Sequence, residues 1–200
     1  MNILQKSIKH FFIITHHKIE VFKTCIHAGL FWQGIIHDLS KYSLSEFIEY
    51  AQYYNGEISP VDKAKQEKGY CLSWLHHRGR NPHHYEYWID NLDNGGLPLI
   101  MPYKYAMEMV CDYIGAGKAY EKGKWTIQSP LNFWLNKKKT ARIHPAMVLF
   151  FDHIFKWFAK DGYNALNKEY TKIAYKDCMF YDIPVFRDIE HYRNSKRAVQ

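Results

Sequence analysis

The chain has 200 residues, 47% hydrophobic and 17% aromatic, which is enough to bury a sizeable core and excludes a disordered polymer. No stretch reaches the roughly 20 apolar residues of a membrane span, since Phe11-Phe12-Ile13-Ile14 and residues 29–36 are far shorter. A net charge of +7 suits an anionic ligand, a nucleic acid or an acidic surface, and four dispersed cysteines with no CxxC pair read as buried thiols, not as a disulfide framework or zinc knuckle.

In chain order, residues 3–27 carry helical periodicity that Ala28-Gly29 breaks. The segment holds Lys6 and Lys9 but runs into Thr15-His16-His17-Lys18 without a cleavage site, so a cytoplasmic protein is expected. A short apolar helix from Leu30 delivers His37 and Asp38 near its C-terminal end. Ser43-Leu44-Ser45-Glu46 has the form of a capping box opening a helix to about Tyr54, which stops at Asn55-Gly56. Pro60 starts a helix predicted to run to Arg78-Gly79, and Asn81-Pro82 an N-capped helix to about Asp90.

After the Asn94-Gly95-Gly96 loop, Pro102 opens a helix expected to end after Ile114 at Gly115-Ala116-Gly117. Further helices are predicted at 130–137, 145–160, 165–176 and 185–194. No period-2 alternation long enough for a sheet appears. The expectation is an all-α fold: a helical domain over 1–145 with the helices of 146–200 packed on it as an extension.

Chemistry concentrates in Ile35-Ile36-His37-Asp38-Leu39-Ser40-Lys41. Burying an adjacent imidazole and carboxylate among apolar residues is costly unless something binds both, and a divalent metal is the leading candidate. The alternative is an Asp that caps a helix beside a core histidine. If the first two helices fold back at Gly29, His17 and His37 lie roughly 18 Å and 12 Å from the turn, level to within about one 5.4 Å helical turn. An antiparallel pair can therefore bring both rings to one ion. Leu75-His76-His77-Arg78-Gly79-Arg80-Asn81-Pro82-His83-His84 is the second constellation. Its histidines, crowded with cations and, for His83 and His84, at an expected helix N-terminus, should be largely neutral and fit to ligate, while Arg78 and Arg80 offer planar donors for phosphate. An exposed polar turn packed on Trp74, Tyr85 and Trp88 is the alternative.

The order of these residues, His17, His37-Asp38, the later histidines and Asp112, resembles the H…HD…H…H…D pattern of HD-domain metal-dependent phosphohydrolases, and His37-Asp38-Leu39-Ser40-Lys41 resembles their HD-x-x-K element. The resemblance implies an HD-like helical bundle, with Asp38 bridging if two ions bind and Lys41 facing substrate phosphate. It also implies that one member of each His-His pair, His77 and His84 as first choice and His76 and His83 as alternatives, binds a second ion. Asp112 supplies the last carboxylate, and Glu108 is its runner-up or supporting partner. Nothing matches the Gly-Tyr-Pro element of the HD-GYP class, so a cyclic dinucleotide substrate is not implied. The segments Gly69 to Asn81 and Met109 to Lys118 also look like an uncharacterised family of bacterial and phage proteins, a likeness over about residues 15–145 that carries no activity with it.

The expected function is hydrolysis of a phosphomonoester or phosphodiester, a nucleotide foremost, by a water activated on one or two ions of Mn, Fe, Co, Ni or Zn. Asp38 and Lys41 are the catalytic candidates, with Lys41, Arg78 and Arg80 holding the anion. The rivals are a metal- or nucleotide-binding protein without turnover, and a basic nucleic-acid binder for which Lys137-Lys138-Lys139 is the densest support. The aromatic residues Phe150, Phe151, Phe155, Trp157 and Phe158 are read as core or as a homo-oligomer contact.

Overall fold

In the computed structural model, which describes residues 1–180, two long helices form the centre of an all-α bundle. The first, α1 (Ile3–His27), opens with Asn2 accepting from the Gln5 amide and the Gln5 side chain returning to Asn2. Its buried residues His10, Ile14, His17, Val21 and Cys25 recur three or four apart and so share one face. That face packs against α6 (Tyr103–Tyr120), whose Glu108, Asp112 and Gly115 lie on successive turns. α2 (Phe31–Ile36) and α3 (Leu44–Tyr53) pack on α1, and α4 (Pro60–Lys68) and α5 (Leu72–Arg80) on α3. On the other side α7 (Ser129–Lys137) and α8 (Pro145–Asp161) pack on α6, and α9 (Lys168–Phe180) on α8.

The main core joins α1, α6, α7 and α8 through Val21, Met107, Ile114, Trp134, Phe150, Phe151 and Phe155, all fully buried. A smaller cluster of Tyr50, Ala64 and Cys71 seats α3 on α4 and α5. The cysteines are free thiols, three of them buried and Cys178 half-buried. Among the described residues, no helix is long and apolar enough to cross a membrane.

Several predicted boundaries are corrected. The helix expected over Pro60–Arg78 is two helices, because Gly69 takes a left-handed conformation (φ 82°) that ends α4. The helix expected over Pro82–Asp90 is a short 3-10 turn, Tyr85–Trp88, running into a two-residue strand whose Ile89 pairs with Pro98. The Ser43 capping box does not form: Ser43 donates to the Ser40 carbonyl, and Glu46 turns inward. α6 runs through Gly115-Ala116-Gly117, where a missing side chain serves close packing: a Cβ on Gly115 would lie 2.5 Å from Val21 Cγ2. The helix predicted at 185–194 lies outside the described residues.

A candidate metal centre

Four elements bring the sequence-predicted residues together. α1 presents His17, and α2 ends at His37, whose carbonyl accepts from Lys18 Nζ at 2.9 Å. The next residue, Asp38, takes a left-handed conformation (φ 54°, ψ 22°) uncommon for a residue with a side chain. This kink turns the Asp38 carboxylate inward, where it is 2% exposed, and starts the 3-10 turn Leu39–Tyr42 that carries Ser40 and Lys41. α6 adds Glu108 and Asp112, and α5 with the following turn adds His77, His83 and His84.

Asp38 is the hub. Its Oδ2 lies 3.1 Å from His17 Nε2 and 3.3 Å from His37 Nε2, and Asp112 Oδ1 stands 3.3 Å and 3.6 Å from the same two nitrogens. On its other side Oδ1 lies 3.2 Å from His77 Nε2 and 3.4 Å from His83 Nε2. Three groups could each hold an ion: His17, His37, Asp38 and Asp112; Asp38, His77, His83 and His84; and His37, His83 and Glu108.

The far nitrogens are held by carboxylates. His37 Nδ1 donates to Glu108 Oε1 at 3.0 Å, His83 Nδ1 lies 3.2 Å from the same oxygen, and His77 Nδ1 donates to Glu46 Oε2 at 2.7 Å. Glu46, fully buried, is fixed further by Ser40 Oγ at 3.1 Å, and Asn81 donates to Ser40 at 2.9 Å. A carboxylate behind an imidazole fixes ring and tautomer and leaves Nε2 as a lone pair aimed inward, the arrangement metal-ligating histidines use.

The donor set fits a divalent ion on two counts. The Nε2 atoms of His37, His77, His83 and His84, together with Asp38 Oδ1, are buried with no hydrogen-bond partner, which a folded protein seldom tolerates unless something else satisfies them. Donor atoms about 2.1 Å from an ion stand about 3.0 Å apart at right angles and about 3.4 Å apart in a tetrahedron. The 3.1, 3.3 and 3.3 Å spacings around His17, His37, Asp38 and Asp112 fall in that range, and the 3.6 Å between His37 and Asp112 lies just beyond it.

Electrostatics agree. Burial, with Lys41 nearby, lowers the pKa of His17 to about 4, and burial with the neighbouring His83 and His77 lowers that of His84 well below normal. The expectation of neutral histidines in the second constellation fails for His83, and His37 shifts the same way. Burial acts against their charged forms, and for His83 so does the charge of His37, but the carboxylates of Asp38 and Glu108 outweigh these effects and raise both pKa values; Asp112 adds to the rise at His37. Although burial also opposes their charged forms, Asp38 and Asp112 are held well below the usual carboxylate range by the surrounding imidazoles, with Lys41 adding to the effect on Asp38. In the ion-free cluster the carboxylates draw protons onto His37 and His83 and hold Lys41 charged, and a bound cation would take over that compensating role.

The remaining predicted residues are placed as follows. His76 lies outside all three groups, half-buried, with Nδ1 on Glu46 Oε1 at 2.7 Å. Lys41 Nζ sits 2.5 Å from Asp38 Oδ2 and borders a cavity of about 460 Å3 that opens over the cluster, where His17, His84 and Asp112 also reach the wall. Trp74, Tyr85, Tyr113, Tyr120 and Phe133 line that cavity, as do Lys65 and Lys137. Arg78 lines a neighbouring cavity with Arg142, Arg80 is exposed, and neither borders the cavity over the cluster. Sequence reasoning missed Glu46 as a histidine anchor, along with Ser40, Asn81 and Lys18. The one available signal was a Glu with no apolar reason to be buried, spaced for a helix face next to the His-Asp pair.

No curated protein and no solved structure matches the chain. A family model described as Family of unknown function (DUF5662) matches residues 6–157, and the chain belongs to that family.

Proposed function

We propose that the protein is a metal-dependent phosphohydrolase acting on a phosphate ester, a nucleotide foremost. The observation that carries this reading is Asp38 shared between two groups of ion-ligating side chains, with Lys41 beside it at the floor of an aromatic-walled cavity. It is supported by the likeness of His17, His37-Asp38, Lys41, His77, His83, His84 and Asp112 to the HD-type order of ligands. A divalent ion bound there supplies Lewis acidity, acidifying a water molecule and neutralising charge on a phosphoryl oxygen.

The chain's own residues do the rest. Lys41, whose pKa its carboxylate neighbours raise against the effect of burial, keeps its charge and stabilises the added negative charge of the transition state. Lys65 and Lys137 add positive charge around the cavity. The aromatic rings offer flat faces to a base and keep water out. A nucleic-acid reading gains little from Lys137-Lys138-Lys139: Lys137 faces the cavity, Lys138 pairs with Asp152 at 2.7 Å, and Lys139 reaches Asn136.

Elemental analysis of purified protein and of Asp38→Ala, with turnover of a phosphate-ester panel in added Mn, tests the proposal. Bound transition metal and hydrolysis, both lost in the variant, are expected. Metal-free wild type, or metal without hydrolysis of any ester, overturns the enzymatic reading, and the second result leaves a binding protein.

A further inference from the structure

His10 and Tyr50 line the same cavity but take no part in the ion-ligating groups. His10 precedes His17 by two turns of α1, about 10.5 Å at about 1.5 Å per residue, on the same buried face. It is 2% exposed, with the rings of Phe47, Tyr50 and Tyr54 at 5.3, 5.9 and 5.9 Å, and neither ring nitrogen meets a hydrogen-bond partner. Tyr50, from α3, is 3% exposed, and its hydroxyl is also unpartnered. Buried polar atoms are nearly always paired, so three of them in one cavity wall mark a place where a ligand completes the hydrogen bonding.

The chemistry of the pair narrows that ligand. Burial, with Lys41 nearby, lowers the pKa of His10 to about 4, and burial raises that of the Tyr50 phenol, so both are uncharged at neutral pH. A neutral imidazole offers one N–H and one lone pair, and a phenol can donate and accept. Such a pair suits hydroxyl groups and offers no charge to a second phosphate. His17, Lys41 and Asp112 line the cavity at the ion cluster, and His10 lines it two turns of α1 away beside Tyr50, so a ligand spanning the cavity sets its anionic end at the cluster and its uncharged end at His10.

We propose that His10 and Tyr50 form a subsite for the alcohol portion of a phosphate monoester, hydrogen-bonding the hydroxyls of a ribosyl ring whose phosphate lies against Lys41 and the ion cluster. This rests on reading the cluster as a phosphate-ester site. The two turns of α1 between His10 and His17 leave room for a pentose and keep His10 off the phosphate.

Titration calorimetry in added Mn tests the subsite on wild type, His10→Phe and Tyr50→Phe, with inorganic phosphate, ribose 5-phosphate and adenosine 5′-monophosphate as probes. Both variants put an apolar ring among aromatic neighbours and remove no protein hydrogen bond, so the fold is retained. In wild type ribose 5-phosphate binds more tightly than inorganic phosphate. Each variant loses about tenfold in affinity for the two ribosyl probes, as for one hydrogen bond, with phosphate binding unchanged. Adenosine 5′-monophosphate binding more tightly than ribose 5-phosphate in all three proteins adds a base contact to the subsite. Equal ribosyl affinities in the three proteins, or no preference over inorganic phosphate in wild type, overturn the proposal. The expected binding pattern without hydrolysis removes the hydrolase reading and leaves the subsite standing.

Discussion

Replacing Gly115 by alanine sets two effects of known sign against each other at the contact that holds α1 to α6. The new Cβ would lie 2.5 Å from Val21 Cγ2, 2.7 Å from Val21 N and 2.9 Å from Val21 Cα. Non-bonded carbons rest about 3.5–4.0 Å apart, so the helices must separate by about 1 Å. Two of the three obstructing atoms are backbone, so no change of rotamer relieves the clash. Overpacking costs about 1–3 kcal/mol, and this geometry belongs at the upper end. Alanine's better helix propensity returns about 1 kcal/mol, leaving a net loss of about 2 kcal/mol. For a chain of this size that lowers Tm by about 4–8 °C. Gly79→Ala in α5 is the control: its Cβ meets nothing within 4 Å, so propensity alone acts and stability rises or holds. Asp112 and His17 each lie one turn from this contact, so the same separation opens their 3.3 Å approach and weakens ion binding. Thermal unfolding of ion-free protein, then chelator competition, reads both effects. A Gly115→Ala protein as stable as wild type would refute the reasoning.

Glu46→Gln keeps the shape of the buried anchor but removes the charge behind His77, and a loss of about 10–100-fold in metal affinity is expected by competition with a chelator. Phe155→Ala removes a fully buried ring between Trp134 and Tyr113, and urea unfolding should show a loss of about 3–5 kcal/mol. Burial pushes the Glu49 carboxyl up, but Lys68 and the Ser73 amide outweigh it and hold its pKa at about 2, against an ordinary 4.5. A depressed carboxylate stabilises the fold above its unfolded value. Its contribution is therefore whole above pH 4.5 and lost as the pH falls toward about 2, so Glu49→Gln should flatten the stability profile across that window.

The helical fold was legible because one-sided periodicity and proline and glycine punctuation are local signals. Proline starts and apolar stripes placed α4, α7 and α8 within a residue or so of where they begin. Glycine is where local reading failed. Gly69 ends a helix through its backbone conformation, whereas Gly115 sits inside a helix because Val21 of a distant helix needs the space. Local signals run a helix through Gly69 and stop one at Gly115, the reverse of the structure, because neither the left-handed backbone of Gly69 nor the packing against Val21 is visible in one dimension. Ser43 and Glu46 failed for the same reason: two imidazoles outside the local segment compete for the Glu46 carboxylate, and they win it.

The His-His pairs show how one wrong local element distorts a site. In a helix adjacent residues point about 100° apart, so only one member of a pair can face a common centre. That holds in α5, where His77 reaches Asp38 and His76 is left on the half-exposed side of Glu46. At His83-His84 the family resemblance implies a single ligand as well, and the helix expected over 82–90 agrees with it. The chain there is a turn between α5 and a 3-10 segment, which imposes no such divergence, and the two rings lie 4.2 Å apart and join the same ion-ligating group. His83 then spans Asp38 and Glu108, linking the ligands of α2 to those of α6. The turn thus lets both imidazoles of this pair join the ion-ligating group around Asp38. A substitution that drove residues 81–85 into regular helix would therefore cost the site one of the two rings even with every ligand still present in the sequence.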